Sequence, residues 1–193
     1  IKEEMSALGA SLGDVTTTQN NLAALFVQLG DMKAAAVMYR KTVKLREHQF
    51  GPTHPTVARS LEMLANVLSE LGELKDAAMH LQSALNIRKR IYGDWHVECA
   101  ATMLNLSTIQ CRRGQFSTAR DVFKKWLKII LASLGASHPT TIWALNWLDR
   151  WPKDGAPGTS VGKKNGKTQD LPGGKMSVTI IRGRSLKGMD GGG

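Results

Sequence analysis

Three histidines, His54, His96 and His138, stand 42 residues apart, and imidazoles at a fixed spacing raise the question of metal. A metal ion needs ligands that converge to about 2 Å from one point. Residues separated by so long a regular step fall on successive structural units and do not converge, so these histidines are assigned to turns or helix caps. The two cysteines, Cys99 and Cys111, are twelve residues apart. On one helix that separation is about 18 Å, too far for a disulfide, and the sparse set reads as reduced. Gly166-Lys167-Thr168 is the end of a phosphate-loop pattern that also requires glycine at 161, where Val161 stands. No strand is predicted before it and no helix after it, so no nucleotide site is read. No nucleophile–base pair, paired carboxylates or clustered ligands stand out, and the sequence is read as binding rather than catalytic, with no enzyme activity, no metal and no cofactor.

The elements that must position any site repeat. The 42-residue step is shared by Gly30, Gly72 and Gly114; by Gly51, Gly93 and Gly135; by Ala35, Ala77 and Ala119; by Leu22, Leu64 and Leu106; and by Tyr39, Leu81 and Phe123. With the histidines these make six columns in one register, and a fixed period of this size marks stacked units. Residues 56–93 show the unit most fully. Val57, Leu61, Leu64, Ala65, Leu68 and Leu71 recur at helical spacing, Gly72 can turn the chain, and Leu74, Ala77, Ala78, Leu81, Ala84, Leu85 and Ile91 form a second stripe. Glu62, Glu70, Lys75, Arg88 and Lys89 fall on the polar faces. One helical hairpin cannot bury both stripes, so each unit needs neighbours.

The predicted organisation is an array over residues 1–151, with complete units at about 14–51, 52–93 and 94–135 and a partial unit at each end. The first unit's helices are expected near 15–29 and 31–49. Gly9-Ala10-Ser11 matches Gly135-Ala136-Ser137 in register, so residues 1–8 are read as the end of a second helix whose mate precedes this sequence. Pro55 and Pro139 suit a first helical turn, with Thr53 and Ser137 as candidate caps. The last unit opens with TTIWALNWLDRW at 140–151, where Leu145 and Leu148 are expected to make the core contacts, and then meets Pro152. Trp143, Trp147 and Trp151, four apart, form a stripe that is read as packing for at least one ring, with an interface exposed where the array ends as the alternative. Residues 152–175 read as a flexible basic linker. Residues 176–193 contain the β-branched run Ser177-Val178-Thr179-Ile180-Ile181 and read as a short strand or a disordered tail.

The chain has 26 Lys and Arg against 16 Asp and Glu, for +10, and residues 151–193, with eight basic and three acidic side chains, carry half of that excess. A tail of this kind suits acidic partners or an anionic membrane. The charge of the repeat region reads as a solvated surface, and no nucleic acid is expected. No apolar run of spanning length and no signal peptide is visible, which with the reduced cysteines predicts the cytoplasm.

The pattern L-A-x-x-L-x-x-x-G at 64–72, followed by Ala77 and Leu81, resembles the tetratricopeptide repeat. The long 42-residue period, with GPTHP at 51–55, GASHP at 135–139 and the degenerate GDWHV at 93–97, is similar to kinesin light chains and nephrocystin-3-like proteins. QNNLAAL at 19–25 resembles the kinesin light chain helix that starts N-N-L-A. The resemblance covers roughly residues 1–150. It implies an all-α superhelical solenoid of antiparallel helix pairs, and a scaffold that grips an extended or short helical peptide in a concave groove lined by the first helix of each pair. The groove position just before the leading Leu of the repeat is then Asn21, Met63, Asn105 and Trp147, with Asn20, Arg59, Glu62, Asn66, Thr108 and Arg112 nearby. An asparagine there holds peptide backbone through both a donor and an acceptor. The mixed lining differs from the lysine-rich clamp that some relatives use for a C-terminal carboxylate. MSVTIIRGRSLKGMDGGG at 176–193 resembles the first strand and loop of a C2 domain, with Asp190 at the first calcium-ligating position. One Asp cannot supply the six to eight oxygens that calcium takes. The leading expectation is a kinesin light chain-like adaptor for a protein or peptide ligand. The second is an adaptor whose parent protein binds anionic lipid with calcium through a C2 domain.

Overall fold

The structure, a computed structural model, describes residues 2–151, with side chains from Val15 onward. The expected linker at 152–175 and strand-like tail at 176–193, with Asp190 and the Gly166-Lys167-Thr168 run, lie outside the described residues. Every described element is a helix: α1 (Lys2–Gln28), α2 (Met32–Phe50), α3 (Pro55–Glu70), α4 (Leu74–Tyr92), α5 (Val97–Arg112), α6 (Phe116–Leu134) and α7 (Pro139–Asp149). The 42-residue period is explained by a first helix of 16 residues in α3 and α5 and a second of 19 in α2, α4 and α6. None of these helices is long and apolar enough to cross a membrane.

The glycine columns mark the turns. Gly72 joins α3 to α4 at φ +82°, and Gly51 closes α2 at φ +84°. Both angles lie in the left-handed region that only glycine enters without steric cost. The helix after each G-x-x-H step starts on the histidine. His54 Nδ1 accepts the Thr56 N–H at 3.3 Å, and His138 Nδ1 accepts the Thr140 N–H at 3.2 Å. His96 does the same for the Glu98 N–H at 3.2 Å. The histidines therefore cap, as their spacing implied, and Thr53 and Ser137 do not hold the N-cap position. His54 also stacks on Phe50, and His96 on Tyr92, with ring centroids 4.8 and 4.9 Å apart. A threonine hydroxyl caps without that stacking surface.

The described residues form two compact units, divided within α5 between Thr102 and Met103. In the first, α1 packs on α2, α2 on α3, and α3 on α4. α3 buries two stripes. Val57, Ser60, Leu64 and Val67, all at most 4% exposed, form the stripe that meets α2, where Arg46 Nη1 reaches Ser60 Oγ at 2.6 Å. Ala58, Leu61, Ala65 and Leu68 form the second buried stripe, left for α4. Ala35 and Ala77 are fully buried in this unit, as the small-residue column requires, and Tyr39 and Leu81 of the large apolar column are buried too.

In the second unit α6 packs on α7, and Ser107 Oγ of α5 donates to the Ala119 carbonyl of α6 at 2.8 Å. Phe123 and Trp126 fill its core together with Trp151, which is 4% exposed. Their rings join those of Trp143 and Trp147 in one chain of aromatic contacts, with centroids 4.9 to 6.4 Å apart. Trp143 of α7 thus packs on the α6 rings, with Trp147 beside it and Trp151 just beyond the helix end. Leu145, expected in the core, is exposed: its column is that of Leu61, on the stripe that faces α4 in the first unit, and no helix after α7 is among the described residues. α7 stops at Asp149, three residues before Pro152, consistent with the restriction that proline places on the backbone before it.

Two further expectations are corrected. The break at Gly9-Ala10-Ser11 is absent, and α1 runs as one helix of 27 residues. In that register Leu12 and Gly13 stand where the other units have the His cap followed by Pro55, Val97 or Pro139. Glycine alone weakens a helix by about 1 kcal/mol without ending it. Ile91, placed in the apolar stripe of α4, is exposed near the end of its helix.

Ala77 is 0% exposed. Ala77→Leu adds volume where no space is left and lowers stability by about 1–3 kcal/mol. Thermal melts check this, and an unchanged Tm would place the side chain on the surface.

Candidate functional site

The two buried stripes of α3 leave a third face. Arg59 and Glu70 on it are exposed, and Met63 and Asn66 between them are half-buried. Arg59, Met63, Asn66 and Glu70 are spaced at four, three and four residues, which aligns them along one side of the helix. The same columns in α1 hold Thr17, Asn21, Ala24 and Gln28, all exposed. In the second unit they hold half-buried Asn105 and Thr108 and exposed Arg112 on α5. Most of the sequence-predicted site residues therefore share one set of columns that recurs from helix to helix. Trp147 holds the Met63 column on α7, where it is half-buried and stacks on Trp143 at 6.3 Å with ring planes 10° apart.

Asn20 and Glu62 share a different column, one step round the helix. The Asn20 side-chain oxygen is buried without a hydrogen-bond partner among the described residues. Glu62 is 8% exposed and tied up internally, a correction to its assignment to the polar surface. Arg88 grips its carboxylate through two nitrogens at 2.5 and 2.7 Å. The Thr102 hydroxyl donates a short hydrogen bond to the same carboxylate. Arg88 also donates to the Glu98 carbonyl at 3.0 Å and to Thr102 Oγ1 at 2.5 Å. Burial pushes the Glu62 carboxyl up, and the Arg88 charge with the Thr102 and Arg88 hydrogen bonds pulls it back. With Glu62 withdrawn, the third face of α3 carries Arg59 near its start and Glu70 at its far end.

Arg46, one period before Arg88, makes a related link to Ser60 and to the Thr56 carbonyl at 3.3 Å. Burial lowers its guanidinium pKa, and the nearby charge of Arg59 lowers it further. This arginine column was not singled out from sequence. Its signal is there: Arg46 and Arg88 share the 42-residue step, and a hydroxyl residue, Ser60 or Thr102, follows each by 14.

The remaining chemistry is muted. Cys99 and Cys111 are free and buried. Burial pushes the Cys111 thiol up to about 11 and raises Cys99 as well, so neither is poised as a thiolate. Among the described residues no three His, Cys, Asp or Glu side chains cluster to hold a metal ion.

The tetratricopeptide repeat family matches at residues 14–90 and 63–131. Among solved structures, BtubC (BKLC) from P. vanneervenii is similar with a TM-score of 0.61 at 22% identity, covering 69% of this chain and 54% of that one. Nearly identical TPR-like repeats assigned to a kinesin light chain of Podosopora anserina align with a TM-score of 0.61 at 21% identity, covering 69% of this chain and 64% of theirs. A single-substitution variant of those repeats gives the same score and identity over 63% of its length. The chain thus spans less than two thirds of the structures it matches, and at these identities the likeness is one of fold. No curated protein matches the sequence.

The positions of Glu62, Arg88 and Thr102 recur one period later as Leu104, Ile130 and Ala144, so the same framework accepts an apolar solution. Arg88→Met leaves the buried Glu62 carboxylate without its counter-charge and costs about 3–5 kcal/mol. Glu62→Leu with Arg88→Met recovers most of that loss. Urea unfolding of wild type and both variants checks this, and a double variant no more stable than Arg88→Met would contradict it.

Proposed function

The chain belongs to the tetratricopeptide repeat family, and from that premise we propose that it is an adaptor that binds a peptide or protein segment along the third face of its first helices. The fold is typical of protein-interaction scaffolds. The observation that carries the reading is the division of labour on α3. Two stripes are consumed by packing, and the third keeps Arg59, Met63 and Asn66 at least partly accessible.

The chemistry of that face suits a polypeptide. Asn21, Asn66 and Asn105 each offer an amide that can donate to a backbone carbonyl and accept from a backbone N–H. Met63 offers a soft apolar contact that tolerates varied side chains. Thr108 and Arg112 hold the same columns on α5 of the second unit. Asn20 is set aside from this face because its side-chain oxygen is turned inward. The resemblance of the 42-residue period to kinesin light chains supports an adaptor of that kind.

Loss of one amide that bonds the ligand costs about 0.5–1.5 kcal/mol, about two- to ten-fold in affinity. Asn21→Ala and Asn105→Ala, made singly, are expected to weaken a ligand by that factor and leave helicity intact. The ligand is first selected from a peptide library on the full chain, then titrated by calorimetry. Unchanged affinity in both variants would place the ligand elsewhere.

A further inference from the structure

The charge of the repeats is sorted by helix. The second helices α2, α4 and α6 hold thirteen Lys and Arg against three Asp and Glu. The first helices α1, α3, α5 and α7 hold three against seven. α2 is the extreme case. Its Ala35, Ala36, Tyr39, Thr42 and Val43 are buried, while Lys33, Val37, Arg40, Lys41, Lys44 and His48 are exposed. The spacing of these six keeps them on one side of the helix, in a row about 22 Å long. Glu47, the acidic residue of α2, is half-buried at the border of the row. Arg40 and Lys44 are four apart and Lys41 and Lys44 three apart, steps at which like charges repel. Among the described residues, Lys33, Lys41 and Lys44 form no ion pair. Arg40 shows the chemistry that the row accepts: its Nη2 meets the Glu73 carboxylate at 3.4 Å, with both side chains nearly half exposed.

We propose that the outer row of α2 docks an acidic segment of a partner protein. Ammonium groups on flexible stems meet carboxylates without a fixed geometry, and a row of one sign steers such a segment toward it. Val37, 45% exposed in the middle of the row, offers an apolar contact, so the segment is expected to carry an apolar residue among its carboxylates. At about 3.3 Å per residue, an extended segment of about seven residues spans the row. A nucleic acid strand fits less well, because Tyr39 of α2 is buried and leaves no ring among these charges on which a base stacks. A bilayer also fits less well, because one valine supplies little of the apolar face that surface helices bury in lipid. On α6, Lys124, Lys125 and Lys128 stand in the columns of Arg40, Lys41 and Lys44, but Asp121 takes the column of Val37 and interrupts that row. The α2 row includes none of the Asn21, Met63 and Asn105 column, so the proposal stands independently of the reading of that face.

The test uses the full chain and a fluorescent peptide of about ten residues, Glu and Asp around one central Leu, read by anisotropy near physiological ionic strength. Saturable binding that weakens as salt is raised is expected. Lys41→Gln with Lys44→Gln should weaken it at least ten-fold with circular dichroism unchanged, since glutamine keeps the helix propensity of lysine. Lys124→Gln with Lys125→Gln, which removes equal charge from α6, should change it less than two-fold, and so should Asn21→Ala. A peptide with serine in place of its leucine should bind several-fold more weakly. Absence of binding, or equal losses from the two lysine pairs, would overturn the proposal. So would tighter binding of a single-stranded oligonucleotide of equal charge, or of phosphatidylserine vesicles, that the α2 pair of substitutions abolishes. A chain that self-associates in sedimentation and is dissociated by that pair would overturn it too, because the occupant would then be a second copy.

Discussion

The constraint on which this structure depends is that the first helix of each pair must bury two stripes at once. α3 meets it with α2 over one stripe and α4 over the other. Neither neighbour alone removes enough apolar surface, so stability is shared between adjacent pairs rather than held within one hairpin. The same requirement explains why the residue columns hold so closely. A residue moved by one position round the helix would take a stripe out of its interface, while a step of 42 returns every stripe to an equivalent neighbour. It also limits what remains for binding. With two stripes consumed, the third face is the part of a first helix still free to meet a ligand, and Arg59, Met63 and Asn66 stand on it.

Polar groups enter these interfaces by a consistent route. Arg46 and Arg88 each cross from a second helix to a hydroxyl and a backbone carbonyl of the next first helix. A buried guanidinium is costly unless its donors are satisfied, and here several of them are spent on neighbouring atoms. The link works only in one register, since sliding the helices would separate the arginine from both acceptors. Glu62 adds a carboxylate to the second of these links, whereas the third set of positions has Leu104, Ile130 and Ala144. Successive units thus solve one packing problem by polar and by apolar means.

Much of this was legible in the sequence because it repeats. Glycines at the turns, histidines at the helix starts and alanines at the close approaches announce themselves by spacing, since each is required by backbone geometry in every unit. What was not legible depends on pairwise contact. Glu62 is charged and was assigned to the polar surface; only the placement of Arg88 and Thr102 makes it a buried acceptor. Leu145 fits the apolar column of Leu61, but no helix after α7 is among the described residues to cover it, and it is exposed. Gly9 matches the glycine column, yet without the His-Pro that starts the next helix elsewhere the chain stays helical. Thr53 and Ser137 are good caps by residue type, and His54 and His138 take the role one position later.

If neighbour burial rather than helix length sets stability, native-state amide hydrogen exchange separates the two within one molecule. α1 has 27 residues and α3 has 16, but only α3 has both stripes covered. The account predicts that the Val57–Leu68 amides exchange slowest in the first unit, near the rate of global unfolding, and that the Val15–Gln28 amides exchange markedly faster. Equal protection of the two segments, or greater protection of α1, would contradict it.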